Sequence, residues 1–152
     1  MFRYLEEYGC VSIGSMYSLG ITYSWSIGED GTLIPRLSPK ERGIEIKERD
    51  QCLLLLADYL VSYFWIQNMQ EHRLKSYIMQ KIYEQWHCDG VMMHYNRGCE
   101  GLSLGIAENR LHLVKQGIPV VSYEGNMGDE REFDLVETQG MIDSFMESIG
   151  LK

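Results

Sequence analysis

Apolar residues recur along this chain in two rhythms. From Glu71 to Trp86, the residues Leu74, Ile78, Ile82 and Trp86 fall four apart, the spacing of one face of a helix. The same rhythm predicts helices over Asp50–Phe64, with Leu53, Leu56, Leu60 and Phe64 on its core face, and over Leu102–Gln116, with Leu104, Ala107, Leu111 and Val114. It predicts another over Glu132–Ile149, with Ile142, Phe145 and Ile149, ending at Gly150. Gly117 reads as a C-cap with Pro119 just beyond. Phe2–Tyr8 reads as a helix end closed by Gly9. Three short apolar runs break the rhythm and read as strands: Val11–Tyr17, Val91–Tyr95 and Pro119–Tyr123. The last two are apolar throughout and joined by a helix, which predicts a βαβ unit with a right-handed crossover.

The expected fold is a single α/β domain over residues 1–152. It has a small open parallel sheet with helices on both faces, doubly wound in the manner of flavodoxin or Rossmann folds. The long stretch Ser18–Lys47 carries Gly20, Gly28, Gly31, Pro35 and Pro39. It reads as irregular, with GEDGT as a turn, and as a place for a lid or subunit contact. The aromatic segment Tyr59–Trp65 reads as core, with an interface as the alternative.

Composition narrows the classes. An apolar share of 45% suits a globular core. No run is long enough to span a bilayer and no basic-then-apolar leader follows Met1, so a soluble, cytoplasmic chain is expected. A net charge of −8 argues against a nucleic-acid surface, yet leaves room for a small anionic ligand on local amides and arginines. The four cysteines (Cys10, Cys52, Cys88 and Cys99) form no CxxC pair and read as thiols or metal ligands rather than disulfides.

In an open parallel sheet, ligands bind where strands end at their carboxyl side. Two polar, glycine-bearing loops hold that position: HYNRGCEG and YEGNMGDERE. Cys99 sits between Gly98 and Gly101, ahead of a helix and near Arg97, a setting that favours thiolate. The other reading is a small buried apolar residue. Cys52, beside four leucines, reads as core. Cys10 and Cys88 precede strands and lie at the far edge, about 20 Å from Cys99 at about 3.3 Å per residue, too far to share a metal with it. A thiolate-held cluster normally uses four cysteines. Asn96 and Arg97 read either as a grip on a phosphate or thioester carbonyl, or as a turn-forming Asn and a solvated Arg. Glu124 reads as a proton donor or acceptor in the crevice, or as a cap on loop amides. His94 reads as a satisfied core histidine. Asp129, Glu130 and Glu132 read as complements to a helix dipole.

DGVMMHYNRGCEG followed by GIPVVSYEGNMGDEREFD resembles the C-terminal segment of the benzoyl-CoA reductase / 2-hydroxyacyl-CoA dehydratase D-component family. The NRGCEG and EGNMGDERE forms are most similar to a benzoyl-CoA reductase subunit, and VSIGSMYSLG is similar to the strand that opens that family's second domain. The resemblance implies a heterodimer with a homologous sister subunit, a [4Fe–4S] cluster held by three cysteines in each subunit, and an acyl-CoA substrate. It also implies an iron–sulfur ATPase activator that uses ATP to deliver electrons to the thioester. In dehydratases a ketyl radical then loses water; in benzoyl-CoA reductase the ring is reduced. On this resemblance Cys99 is a metal ligand and Glu124 a catalytic residue. Asn96, Arg97, Gly98, Gly125, Asn126 and Met127 line the substrate site. The family's preceding domain, with its two further cluster cysteines, has no counterpart in residues 1–152, so the chain alone is expected to hold no intact cluster.

Two readings of other classes stand beside this one. One is a non-catalytic module that binds a CoA-like ligand or a partner subunit. The other is a thiol enzyme with Cys99 as nucleophile and His94 as base, which requires the two to come within hydrogen-bond reach.

Overall fold

In the computed structural model, which describes residues 2–16, 25–62, 71–126 and 128–151, helices and strands follow in the order α1 (Phe2–Glu7), β1 (Trp25–Ile27), β2 (Leu33–Pro35), α2 (Arg49–Val61), α3 (His72–Gln85), β3 (Val91–Asn96), α4 (Glu100–Ser103), α5 (Ile106–Lys115), β4 (Val120–Gly125) and α6 (Leu135–Ser148). A 3₁₀ turn, Glu130–Glu132, precedes α6.

The centre is the predicted βαβ unit. β3 and β4 pair in parallel, with Val91 opposite Val120 and Asn96 opposite Gly125. Side chains alternate across this pair, so each face meets its own helices. Met92 and Val121 turn to a cluster of Leu5, Ile142, Phe145 and Met146, from α1 and α6. Val91, Met93 and Val120 turn the other way, to Leu113 and Ile118, with Met79 and Tyr83 of α3 behind them. Helices therefore cover both faces, the doubly wound arrangement expected from the sequence. The α5 C-terminus closes as read: Gly117 has φ +76°, and Ile118 N–H reaches back to Leu113 O. The face read for Glu71–Trp86 is also inward, with Ile78 and Ile82 buried and Leu74 and Trp86 packed on them.

Four sequence readings are corrected. Residues 11–15 form no strand, and Tyr17 lies outside the described residues. Val11 is 76% exposed and Ile13 55%. The segment's close contact is backbone on helix: a Cβ at Gly14 would stand 2.4 Å from Ile82 Cγ2. Its small residues fit it against α3 rather than beside a sheet neighbour, and among the described residues the parallel sheet has two strands.

The stretch after it is not wholly irregular, because β1 and β2 form an antiparallel hairpin around the predicted GEDGT turn. Gln85 on α3 serves the hairpin from the side, accepting from Leu33 N–H at 2.7 Å.

Helix α2 forms where predicted, but Leu53, Leu56 and Leu60 are exposed and no residue of it is buried. Four consecutive leucines spread round the whole helix, so no stripe is singled out to face a core. Cys52, read as core, is exposed with them. Phe64 and Trp65 lie outside the described residues. What fastens α2 is Tyr59, whose hydroxyl donates to Leu37 O at 2.7 Å beneath the Arg36 guanidinium, 4.0 Å from the ring centroid.

The helix read over Leu102–Gln116 is two helices, α4 and α5, broken at Gly105. Its inward face is Ile106, Asn109 and Leu113, while Leu104, Leu111 and Val114 are exposed.

α1 is held to α6 by one carboxylate. Tyr4 and Tyr8 donate their hydroxyls to Asp143 Oδ1 at 2.5 and 2.6 Å. These bonds favour the charged carboxylate and hold the Asp143 pKa below its usual value. A lowered folded-state pKa gives stability that is present above the unfolded value, about 3.9, and lost as pH falls through the folded one. The Tyr4→Phe/Tyr8→Phe double variant is therefore expected to melt lower than the parent at pH 7. That gap should close in melts recorded well below pH 4; a gap unchanged with pH would show that the hydroxyls, and not the charge, hold α1.

Candidate active site

The register of β3 and β4 sets two loops side by side. Tyr95 faces Glu124 and Asn96 faces Gly125, so both loops leave the sheet at the same carboxyl edge. Arg97, the first residue of one loop, donates to the Glu124 carboxylate at the end of β4. Glu124 pushes the already high Arg97 pKa further up. Both side chains are more than half exposed, so the pair positions the loops more than it stabilises the fold. One step deeper, a Cβ at Gly98 would stand 3.1 Å from Asn126 Oδ1. The absent side chain is what lets the loops approach.

Asn126 is itself fixed. Its Oδ1 accepts from Gly128 N–H and its Nδ2 donates to Glu132, both at 3.1 Å. An open groove beside it is lined by His94, Tyr123, Gly125, Asn126, Asp129 and Phe133. The His94 and Tyr123 rings stack with centroids 5.2 Å apart, and His94 Nε2 lies 3.2 Å from Gly125 O. Of the residues singled out from sequence, Arg97, Gly98, Glu124, Gly125 and Asn126 thus share one edge. Met127 lies outside the described residues.

Cys99 stands in the first loop, half-buried, as the residue before α4. α4 is a single turn. Asn96 lies beneath it and is only 1% exposed. Its Oδ1 accepts from Gly98 N–H at 3.1 Å, and its carbonyl accepts from Cys99 N–H at 3.2 Å. Sequence reasoning missed Ser103, which bonds the Asn96 backbone twice, and Lys75, whose Nζ donates to Leu102 O at 2.6 Å. Neither belongs to a motif, and only the folding back of α4 onto β3 and α3 brings them here. Among the described residues no hydrogen bond joins His94 to Cys99; the imidazole is turned to Gly125. Asp129 accepts from Arg131 N–H at the start of the 3₁₀ turn and pairs with its guanidinium, so it serves the local turn.

The other cysteines are elsewhere. Cys10 Sγ lies 3.7 Å from Met146 Sδ, near the C-terminal end of α6. Cys88 lies just before β3, and burial pushes its thiol pKa up. α6 runs back from the carboxyl edge, and a Cβ at Gly90 would stand 2.6 Å from Phe145 Cζ. Both cysteines are thus at the amino edge, with β3 between them and Cys99. Among the described residues no three His, Cys, Asp or Glu side chains are grouped to hold a metal ion. A complete four-thiolate cluster does not fit these residues alone. No helix among them is long and apolar enough to cross a membrane.

A βαβ unit with its two post-strand loops joined at the carboxyl edge is the ligand-binding arrangement of doubly wound α/β proteins. Over residues 1–149 the chain matches the family described as 2-hydroxyglutaryl-CoA dehydratase, D-component, and it belongs to that family. A stretch of 62 residues is 31% identical to the alpha subunit of (R)-2-hydroxyglutaryl-CoA dehydratase from Acidaminococcus fermentans. That stretch is 40% of this chain and 13% of the relative's length. No solved structure matches the chain.

Proposed function

We propose that this chain forms one wall of an acyl-CoA site in a 2-hydroxyacyl-CoA dehydratase-type enzyme, corresponding to the C-terminal, substrate-side domain of a subunit. The observation that carries this is the joining of the two loops, Arg97 to Glu124 and Gly98 against Asn126, beside a half-buried cysteine. Arg97 supplies a cation, and Gly98, Gly125 and Asn126 a low-relief surface for a thioester. Asn96 supports them from beneath. Glu124, at the open end of the edge, is the group for proton exchange with the substrate.

Cys99 serves as one thiolate of a [4Fe–4S] set whose other ligands are none of Cys10, Cys52 and Cys88. A homologous sister subunit and an ATP-using iron–sulfur activator complete the enzyme in this reading. A second reading, reduction of an aromatic acyl-CoA of the benzoyl-CoA type, is favoured by the forms NRGCEG and EGNMGDERE.

Calorimetric titration with benzoyl-CoA and with 2-hydroxyglutaryl-CoA tests the site and separates the readings. Saturable binding is expected, weakened about tenfold in Arg97→Ala for loss of a charge-assisted contact. No binding of either thioester, or equal binding by the variant, overturns the reading. Anaerobic reconstitution of the chain alone with iron and sulfide is expected to leave it far short of about four irons per chain. A full cluster on the isolated chain would sink the single-ligand assignment to Cys99.

A further inference from the structure

The turn that carries Cys99 is closed into a ring by a residue outside both loop motifs. Ser103 Oγ donates to Asn96 O at 2.8 Å and lies 2.9 Å from Asn96 N, whose N–H it accepts. Three backbone amides are ordered inside that ring: Gly98 N–H to Asn96 Oδ1 at 3.1 Å, Cys99 N–H to Asn96 O at 3.2 Å, and Ser103 N–H to Cys99 O at 3.1 Å. Lys75 holds the same turn from α3 through Leu102 O. Burial lowers the Lys75 pKa, and no described carboxylate pairs with it, so its ammonium is committed to that carbonyl.

Among the described residues Asn96 Nδ2 is buried without an acceptor, as is Asn109 Nδ2 on α5, and Ser122 Oγ on β4 is buried without a partner. A donor with no acceptor is costly to bury, so the Asn96 position is held by its other bonds. The same carboxamide holds Gly98, one residue before Cys99, through its Oδ1.

We propose that Ser103 is the positioning residue of the Cys99 turn: through its two bonds to the Asn96 backbone it fixes the direction in which Cys99 is presented. The proposal deepens the reading of Cys99 as a ligand-bearing residue. The fastening itself is independent of what Cys99 binds.

The test uses the whole chain, with amide hydrogen exchange and iodoacetamide labelling of Cys99 resolved by peptide mapping. In Ser103→Ala, exchange at Gly98 and Cys99 is expected to rise about tenfold, the effect of losing side-chain bonds to backbone that hold a local closed state. Labelling of Cys99 is expected to quicken with it, while amides of Val91–His94 keep the parental rate. Ser103→Thr, which keeps the hydroxyl, should restore both to within about twofold of the parent. Lys75→Met, releasing the other end of α4, should reproduce the pattern more weakly and serves if Ser103→Ala does not fold.

Unchanged exchange at Gly98 and Cys99 overturns the proposal. So does an equal rise across all of β3, which would make Ser103 a general support. Faster exchange with unchanged Cys99 labelling overturns it as well, since the sulfur would then not depend on the ring. Neither readout involves metal or CoA, so failure here leaves the acyl-CoA reading standing, and failure of thioester binding leaves this one standing.

Discussion

Leu113→Ala is expected to cost about 2–5 kcal/mol, the range for emptying a fully buried leucine site, whereas Leu111→Ala, two residues away, is expected to cost under about 0.5 kcal/mol. Leu113 is 0% exposed and packs with Met93 and Ile118 between α5 and the sheet; Leu111 is 57% exposed. A chain of this size shifts its melting temperature by about 2–4 °C per kcal/mol, so Leu113→Ala should melt about 4–20 °C lower and Leu111→Ala close to the parent. Thermal melts of the two variants decide which face of α5 is core. Equal losses, or a larger loss from Leu111, would put the observed helix phase in error.

That contrast also shows why the sequence misleads here. Leu104, Ala107, Leu111 and Val114 make a clean apolar stripe only if the helix runs unbroken from Leu102. Gly105 interrupts it, and the helix that restarts at Ile106 turns a different set inward. The inward set is disguised by Asn109, a polar residue at its middle. Asn109 is anchored there by Ser76 on α3, which donates to its Oδ1 at 2.7 Å, a partner no single-helix pattern can reveal, while its Nδ2 is buried with no partner among the described residues.

The strands β3 and β4 were legible because continuous apolar runs joined by a helix have few other solutions. Val11–Tyr17 has the same local appearance, but nothing in a short run states whether a ladder partner exists. There the neighbour is the side of α3. The edge on which the two loops meet was legible for a topological reason: successive parallel strands must end on the same side. The chemistry of the pairing was less so. Arg97 and Glu124 each stood out singly, and their union depends on a register, Tyr95 opposite Glu124, that periodicity leaves open. The supports beneath them, Asn96 buried, Ser103 and Lys75, come from elements that meet only in three dimensions.

Gly105→Ala tests the junction that brings those supports together. Gly105 has φ +70° and ψ +17°, the left-handed conformation that costs a residue with a Cβ about 1–2 kcal/mol. The new Cβ would also stand 2.5 Å from His72 Cβ at the start of α3. That neighbour is anchored to backbone and cannot rotate aside, so α3 and the α4–α5 corner must part, adding about 1–3 kcal/mol of overpacking strain. The expected total is about 2–5 kcal/mol. Gly117→Ala isolates the first part. It has the same kind of backbone, φ +76°, but a Cβ there would meet nothing within 4 Å, so about 1–2 kcal/mol is expected from conformation alone. Urea unfolding of both variants gives the difference, which is the steric cost of the α3 contact. Equal losses would mean that α3 does not press on this corner. Lys75 and Leu102 would then have no firm floor between them, since both flank the same contact. A larger loss at Gly105 ties the turn bearing Cys99 mechanically to α3, the helix that also carries Ile78 and Ile82, so that the candidate site takes its rigidity from the core rather than from its own exposed loops.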